Sequence, residues 1–165
     1  YARELPKVGG DTLFAGCAAA FDTLSEGMKN TLRSLRALHS SRHVFGKSAV
    51  IPDDMVDLFG NADKALQDAE HPVIIKHPLS GRETLYVNPG FTTRFVGWTE
   101  KESNSLLAFL YEHISRPEHT YRFQWSKGAL AFWDNRATWH LAVNDYPGET
   151  RLMHRITIEG EPLEP

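Results

Sequence analysis

The sequence contains little of what marks secreted, membrane-spanning or nucleic-acid-binding proteins. Its 165 residues include one cysteine, Cys17, which excludes an internal disulfide framework and suits a reducing compartment. No apolar run is long enough to cross a bilayer, and no signal-peptide pattern is present. The 18 basic and 21 acidic side chains give a net charge of −3, which argues against nucleic acid as a partner. These absences predict a soluble, cytoplasmic protein.

What is present is the composition of an ordinary globular domain, with 41% hydrophobic and 24% charged residues. A chain of this length can bury a substantial core, so we expect one domain over residues 1–165. The chain begins at Tyr1, and residues 2–6 look like the tail of a strand. We therefore expect this domain to lack its N-terminal part.

Short strands at hairpin spacing dominate the pattern, and helices collect in two places. Strands are predicted within 1–16 (where a Gly-Gly-Asp turn suggests a simple hairpin) and over 71–78, 84–88, 91–95, 121–125, 129–133 and 151–158. Helices are predicted over 17–24, from a Ser25 cap through Leu35, and from a capping box at Thr99 to Pro117. Residues 46–70 are expected to form a lid or a surface loop, with a short helix at 63–68. The balance predicts an α+β fold, and a jelly roll is the natural way to close these strands.

Two groups of histidine and arginine residues could form a metal-binding or anion-binding site. His39 and His43 have a metal-ligand spacing for a helix, but the flanking serines and glycine argue against a helix there. Near the end of the chain, Arg151 and Arg155 are four residues apart in a predicted strand and would therefore share a face. With His140 they could bind a metal and anionic small molecules. The alternative is a solvated pair of arginines and a structural histidine.

Five segments of the sequence form a recognisable set of motifs: residues 5–12, 71–73, 87–94, 133–140 and 151–155. Together they resemble the taurine/2,4-dichlorophenoxyacetate dioxygenase family (TauD/TfdA) of iron(II)- and 2-oxoglutarate-dependent oxygenases, and the resemblance covers essentially the whole chain. It implies a double-stranded β-helix (a jelly roll) with flanking helices. It also implies an Fe(II) cofactor, 2-oxoglutarate as cosubstrate, and O2.

The same resemblance implies roles for five residues. His140 would be the distal histidine ligand of the iron, while Thr12 and Arg151 would bind the far carboxylate of 2-oxoglutarate. Arg155 would receive the anionic head of the primary substrate, and Phe91 would form an aromatic wall of that pocket. A guanidinium suits these tasks because it stays charged and binds a carboxylate through two hydrogen bonds.

One departure from the family pattern concerns the other two iron ligands, which the family supplies as His-x-Asp or His-x-Glu. None of the eight histidines is followed two positions later by an acidic residue. We expect that pair to lie before Tyr1. A degenerate, inactive member of the family or a different ligand set are the alternatives.

The implied activity is oxidative decarboxylation of 2-oxoglutarate to succinate and carbon dioxide, coupled to hydroxylation of a small anionic substrate. Residues 91–94 are more similar to the taurine and alkylsulfonate branch, in which hydroxylation next to sulfur releases sulfite and an aldehyde. An oxygenase for a sulfate ester or a carboxylate is one alternative, and a non-catalytic anion-binding jelly-roll module is another. The sequence is also compatible with a homo-oligomer.

These considerations predict that a protein made only of these 165 residues binds iron weakly and turns over poorly, because it carries one family iron ligand. Equilibrium dialysis with Fe(II) under anaerobic conditions measures this directly. Tight stoichiometric binding would contradict the prediction and direct the search for ligands to His39, His43 and the acidic residues of 46–70.

Overall fold

The computed structural model describes residues 1–42, 68–160 and 163, and short antiparallel strands make up most of its regular structure. The helices are α1 (Cys17–Asp22), α2 (Glu26–Arg33) and α3 (Glu100–Ile114), followed by a single 3-10 turn at Pro117–His119. The strands are β1 (Ala2–Glu4), β2 (Thr12–Gly16), β3 (Arg36–Ser40), β4 (Asp68–Pro72), β5 (Ile74–Lys76), β6 (Glu83–Leu85), β7 (Thr92–Phe95), β8 (Thr120–Phe123), β9 (Thr138–Ala142) and β10 (Leu152–Met153).

These strands form four antiparallel sheets. Two sheets have three strands, in the orders β8-β2-β9 and β4-β3-β7, and two are pairs, β1-β10 and β5-β6. The predicted α+β class and antiparallel character are confirmed. The described residues do not close a barrel.

The local turn and capping signals were good guides to structure. The predicted hairpin of β5 and β6 forms with Ile74 opposite Leu85, and Gly81 takes a positive φ of 68° in its turn. Thr99 and Glu102 make the predicted capping box at the start of α3. The Ser25 side chain accepts a hydrogen bond from the Met28 amide at the start of α2, as its cap position requires.

The core lies between the three helices and the sheets that they cover. Its fully buried members include Leu32 of α2, Phe95 of β7, and Leu110 and Ile114 of α3. The Ser103 hydroxyl on the buried face of α3 accepts a hydrogen bond from the Phe95 amide at 3.1 Å. Helix α3 is thereby fixed to sheet β4-β3-β7 by both packing and a polar contact.

Three strand predictions were wrong in their pairing or extent. The Gly-Gly-Asp segment does not close a hairpin, because β1 pairs with β10 whereas β2 lies between β8 and β9. Residues 129–133 form no strand, although the Ala129 carbonyl accepts a hydrogen bond from the Ala2 amide. The last strand is only Leu152–Met153 rather than 151–158. Its ladder with β1 ends at reciprocal bonds between Tyr1 and His154, and beyond these no described strand pairs with it.

The loop or lid predicted over residues 46–70 lies outside the described residues except for 68–70, which belong to β4. The helix predicted over 63–68 also lies outside them except for Asp68, the first residue of that strand. His43 is likewise outside them, and its predicted neighbour His39 lies on a strand rather than a helix. In the described part of the chain, no helix combines the length and apolar character that crossing a membrane requires.

The capping box gives a stability prediction. We expect Thr99→Ala to lower the free energy of unfolding by about 1 kcal/mol, because the Glu102 amide loses its side-chain acceptor. Urea denaturation followed by circular dichroism measures the change. Thr99→Ser retains a hydroxyl acceptor and is the matched control; equal losses in both variants would show that the cap does not stabilise α3.

Candidate active site

The three-stranded sheet β8-β2-β9 brings together residues that are far apart in the sequence. Phe14 of β2 lies opposite His140 of β9 on one side and opposite Tyr121 of β8 on the other. Residues opposite each other in an antiparallel pair present their side chains on the same face, and alternate residues of one strand share that face. Thr12, Phe14 and His140 therefore lie on one face of the sheet.

His140 has the properties of a neutral imidazole at the edge of an aromatic surface. Its ring centroid is 5.0 Å from that of Trp133. Partial burial lowers the pKa of His140, and the positive charge of Arg155 lowers it further. The ring makes no hydrogen bond with the described residues, so its lone pair remains available. A neutral, unpaired imidazole is the form that binds a metal ion.

The turn before β9 is stabilised by hydrogen bonds and ion pairs to the Asp134 carboxylate. The Arg136 side chain donates to both carboxylate oxygens of Asp134, with the shortest bond at 2.6 Å, and the Arg136 amide donates to Asp134 as well. His77 Nε2 lies 3.1 Å from Asp134 Oδ2. These contacts, led by the Arg136 side chain, hold the pKa of Asp134 well below its usual range. The ionised Asp134 thus fixes the chain direction that leads into Thr138 and His140.

A row of aromatic rings lines the same sheet face. Successive ring centroids are 5.2 Å apart for Trp133 and Phe14, 6.5 Å for Phe14 and Phe123, and 4.7 Å for Phe123 and Trp125. Sequence reasoning placed Trp133 only within the motif 133–140 and gave the other rings no role in the site. The alternation of Tyr121, Phe123 and Trp125 was the available signal, since it predicts one aromatic face.

The Thr12 hydroxyl lies at the end of this row. Trp125 Nε1 donates a hydrogen bond to Thr12 Oγ1 at 2.9 Å. Because the indole can only donate, the Thr12 hydroxyl acts as acceptor in this bond and keeps its own proton for another partner. The residue is buried, so that partner would be a group enclosed with it. The Thr12 hydroxyl is therefore a ready donor to an anionic oxygen.

Arg151 is tied to the loop that leads into β2. Its Nε donates to the Gly10 carbonyl at 2.9 Å. The ion pairs within the described residues include none from Arg151, so its terminal nitrogens have no carboxylate partner there. A half-buried guanidinium with one edge bonded and the other open is suited to a carboxylate ligand.

The positive charge of Arg155 acts on His140, because it adds to the effect of burial in lowering the pKa of that histidine. Arg151 and Arg155 were predicted to share one face of a strand, but both lie outside β10, which ends at Met153, so strand alternation does not relate their side chains. Phe91 lies in the turn just before β7, a strand of the other three-stranded sheet, and its carbonyl accepts a hydrogen bond from the Ser40 amide at 2.8 Å. The substrate-binding roles of Phe91 and Arg155 stay predictions.

The metal-binding capacity of the described residues is limited. Among residues 1–42, 68–160 and 163, no three histidine, cysteine or acidic side chains converge as an ion site. His140 fits the role of one ligand by its neutrality and exposure to the sheet face. It would need ligands other than the described residues to complete a three-ligand site.

Comparison with known proteins identifies the family. The family model described as "Taurine catabolism dioxygenase TauD, TfdA family" matches residues 1–157. The chain belongs to this family.

Individual relatives carry related names. The chain is 38% identical over 159 residues to an alkylsulfatase from Acinetobacter baylyi, covering 95% of this chain and 50% of the relative. It is 36% identical to an alpha-ketoglutarate-dependent sulfate ester dioxygenase from Pseudomonas putida, covering 94% and 52%. The crystal structure of a taurine dioxygenase from Burkholderia xenovorans matches with a TM-score of 0.71 and 38% identity, over 87% of this chain and 45% of that one. The chain thus spans about half the length of the curated relatives it matches.

The charged turn yields a pH-dependent prediction. Because the pKa of Asp134 is depressed in the folded state, its stabilisation is present above the unfolded-state pKa and is lost as pH falls through the folded-state pKa. We expect the stability difference between wild type and Asp134→Asn to shrink as pH falls from about 5 to about 2.5.

Urea midpoints across that pH range measure this difference. Asp22→Asn, which removes an exposed carboxylate paired with Arg82, is the matched control and should cost little at any pH. A gap for Asp134→Asn that stays constant or widens on acidification would contradict the prediction.

Proposed function

We propose that the full-length protein is an Fe(II)- and 2-oxoglutarate-dependent dioxygenase that hydroxylates a small alkyl sulfonate or alkyl sulfate ester. In this proposal the four sheets are parts of a double-stranded β-helix within one oxygenase domain, in the cytoplasm. The observation that carries it is the shared sheet face of Thr12 and His140, with Arg151 tied to the adjoining loop. Membership in the TauD/TfdA family supports the same reading.

In this proposal, different residues of the chain bind the metal and the cosubstrate. His140 would provide one neutral nitrogen ligand to the iron, and the remaining ligands would come from outside the described residues. Bound iron would supply the oxidative chemistry that consumes O2 and 2-oxoglutarate. The open edge of the Arg151 guanidinium would hold the far carboxylate of 2-oxoglutarate, and the Thr12 hydroxyl would donate to it.

The aromatic row would exclude water from this face. Trp133 packs beside His140, and Phe14 lies between Trp133 and Phe123 in the row that leads to Thr12. An apolar surface there strengthens the electrostatic attraction between an anion and a guanidinium. Arg155, whose charge reaches His140, would neutralise the anionic head of the primary substrate close to the metal. Phe91 is proposed as a wall of that pocket by family resemblance alone.

The substrate class follows from the relatives and from charge. Two relatives are named for alkyl sulfate and sulfate ester chemistry, and a structural relative is named for taurine. Sulfonates and sulfate esters both present an anionic sulfur–oxygen head that Arg155 could pair with. They differ in product, since hydroxylation at the carbon next to sulfur releases sulfite, whereas hydroxylation at the carbon bearing the ester oxygen releases sulfate.

The test is a product assay on the full-length protein with Fe(II), ascorbate, 2-oxoglutarate and O2. We expect succinate formation matched by sulfite from taurine or a longer alkylsulfonate, or by sulfate from an alkyl sulfate. Arg151→Ala should raise the KM for 2-oxoglutarate at least tenfold, because the carboxylate loses a charge-assisted, two-point contact. Arg42→Ala, on a surface ion pair with Asp68, is the control and should leave that KM unchanged.

A non-catalytic anion-binding module gives a different set of results. It predicts no iron-dependent succinate from any substrate, and in that case Arg151→Ala would weaken anion binding with no turnover to lose. Succinate formation with a carboxylate substrate only, and with neither sulfite nor sulfate, would retain the oxygenase but refute the sulfur-based substrate class.

A further inference from the structure

The Gly10 backbone is bonded on both sides by side chains from the end of the chain. Its amide donates to Asp145 Oδ1 at 2.7 Å, and its carbonyl accepts from Arg151 Nε at 2.9 Å. Gly10 lies two residues before Thr12, and Arg151 follows Asp145 after five intervening residues. One short stretch of backbone thus connects the guanidinium of Arg151 to the carboxylate of Asp145.

A second arginine holds that carboxylate in place. Arg122 of β8 donates from Nη2 to Asp145 Oδ2 at 3.3 Å and from Nε to Asp11 Oδ2 at 2.6 Å. The Asp11 carbonyl accepts from the Val143 amide at 2.9 Å, which ties the same region to the end of β9. The hydrogen bond and charge of Asp11 raise the pKa of Arg122, so the arginine stays protonated between the two carboxylates.

Steric constraints show how closely these groups approach the turn. Gly9 and Gly10 take φ angles of 84° and 71°, a region that residues with side chains rarely adopt. A Cβ at Gly9 would overlap the Asp145 carboxylate, and one at Gly10 would lie 3.1 Å from Arg151 Cδ. The two glycines allow Asp145 and Arg151 to reach the backbone from opposite sides.

This charged group lies behind the candidate site rather than in it. Arg122 is opposite Leu13 in the sheet, and Leu13 alternates with Thr12 and Phe14, so Arg122 presents its side chain on the other face from His140. A ligand on the Thr12 face would therefore not contact Arg122. Any effect of these residues on a bound ligand must pass through Gly10, Thr12 or Arg151.

We propose that Asp145 and Arg122 are positioning residues for 2-oxoglutarate: by clamping the Gly10 backbone they set the orientation of Arg151 relative to the Thr12 hydroxyl. This inference rests on the proposed function. The two parallel bonds from a guanidinium to a carboxylate lie in the plane of the guanidinium, and the Nε bond to Gly10 restricts how that plane can turn. Loss of the Asp145 bond would free the Gly10 carbonyl to move, and the plane of Arg151 with it.

The test is anaerobic calorimetric titration of 2-oxoglutarate into the full-length protein loaded with Fe(II). Asp145→Ala should raise the Kd for 2-oxoglutarate about tenfold, the order expected for losing one hydrogen bond to a charged group. Asp145→Asn keeps an acceptor for the Gly10 amide but loses the charge facing Arg122, so a rise of about threefold is expected. Arg122→Gln, at a half-exposed side chain, should act in the same direction and serves if Asp145→Ala does not fold.

Glu149→Ala is the matched control, because Glu149 accepts the Lys7 amide at 2.7 Å from the same loop without touching Gly10. It should leave the Kd for 2-oxoglutarate unchanged. A purely structural role for Asp145 would lower the Tm and weaken the binding of the organosulfur substrate in parallel with that of 2-oxoglutarate; the positioning role moves the Kd for 2-oxoglutarate alone.

The outcomes distinguish a failure of the proposed function from a failure of the positioning role. If the wild-type protein binds no 2-oxoglutarate, the proposed function itself fails. If the wild type binds it, and Asp145→Ala and Arg122→Gln bind it equally well, the proposed function stands and the positioning role is overturned.

Discussion

Strand β2 is hydrogen-bonded on both edges, and the rest of the candidate site depends on this arrangement. It pairs with β8, more than one hundred positions later in the chain, and with β9 after that. The pairing register sets Phe14 beside His140 and leaves Thr12 on the same face. A slip of one residue would move every side chain of β2 to the opposite face and separate Thr12 from His140.

Two charged groups hold the segments that flank this sheet. The Asp134 carboxylate, bonded by Arg136 and His77, shapes the turn that enters β9. On the other face, Asp11 and Asp145 share Arg122 close to the Gly10 backbone. The pairs that Arg122 makes are half-exposed, and charge pairs of this kind contribute little net stability in water. Their value lies in geometry, because each fixes backbone that leads directly to a site residue.

Local structure was largely predictable from neighbouring residues. The capping box of Thr99, the Ser25 cap and the β5-β6 hairpin depend on interactions within a few positions, which a sequence displays directly. The predicted hairpin at Gly9 and Gly10 failed because, although both glycines take a positive φ, the strands on either side pair with distant partners. The last strand was overestimated because alternation describes a chain that could pair, whereas a ladder also needs a neighbour.

The sequence motifs by themselves carried the family resemblance, and that resemblance implied the candidate roles of His140, Arg151 and Thr12. The family match over residues 1–157 agrees with that reading of the motifs. Which groups surround those residues was decided by the tertiary structure. The bond from Trp125 to Thr12, the aromatic row beside His140 and the clamp of Asp145 on Gly10 each join segments separated by about a hundred residues or more. Such contacts follow from strand register and loop closure, which are global properties of the packed chain and leave only weak traces in local sequence.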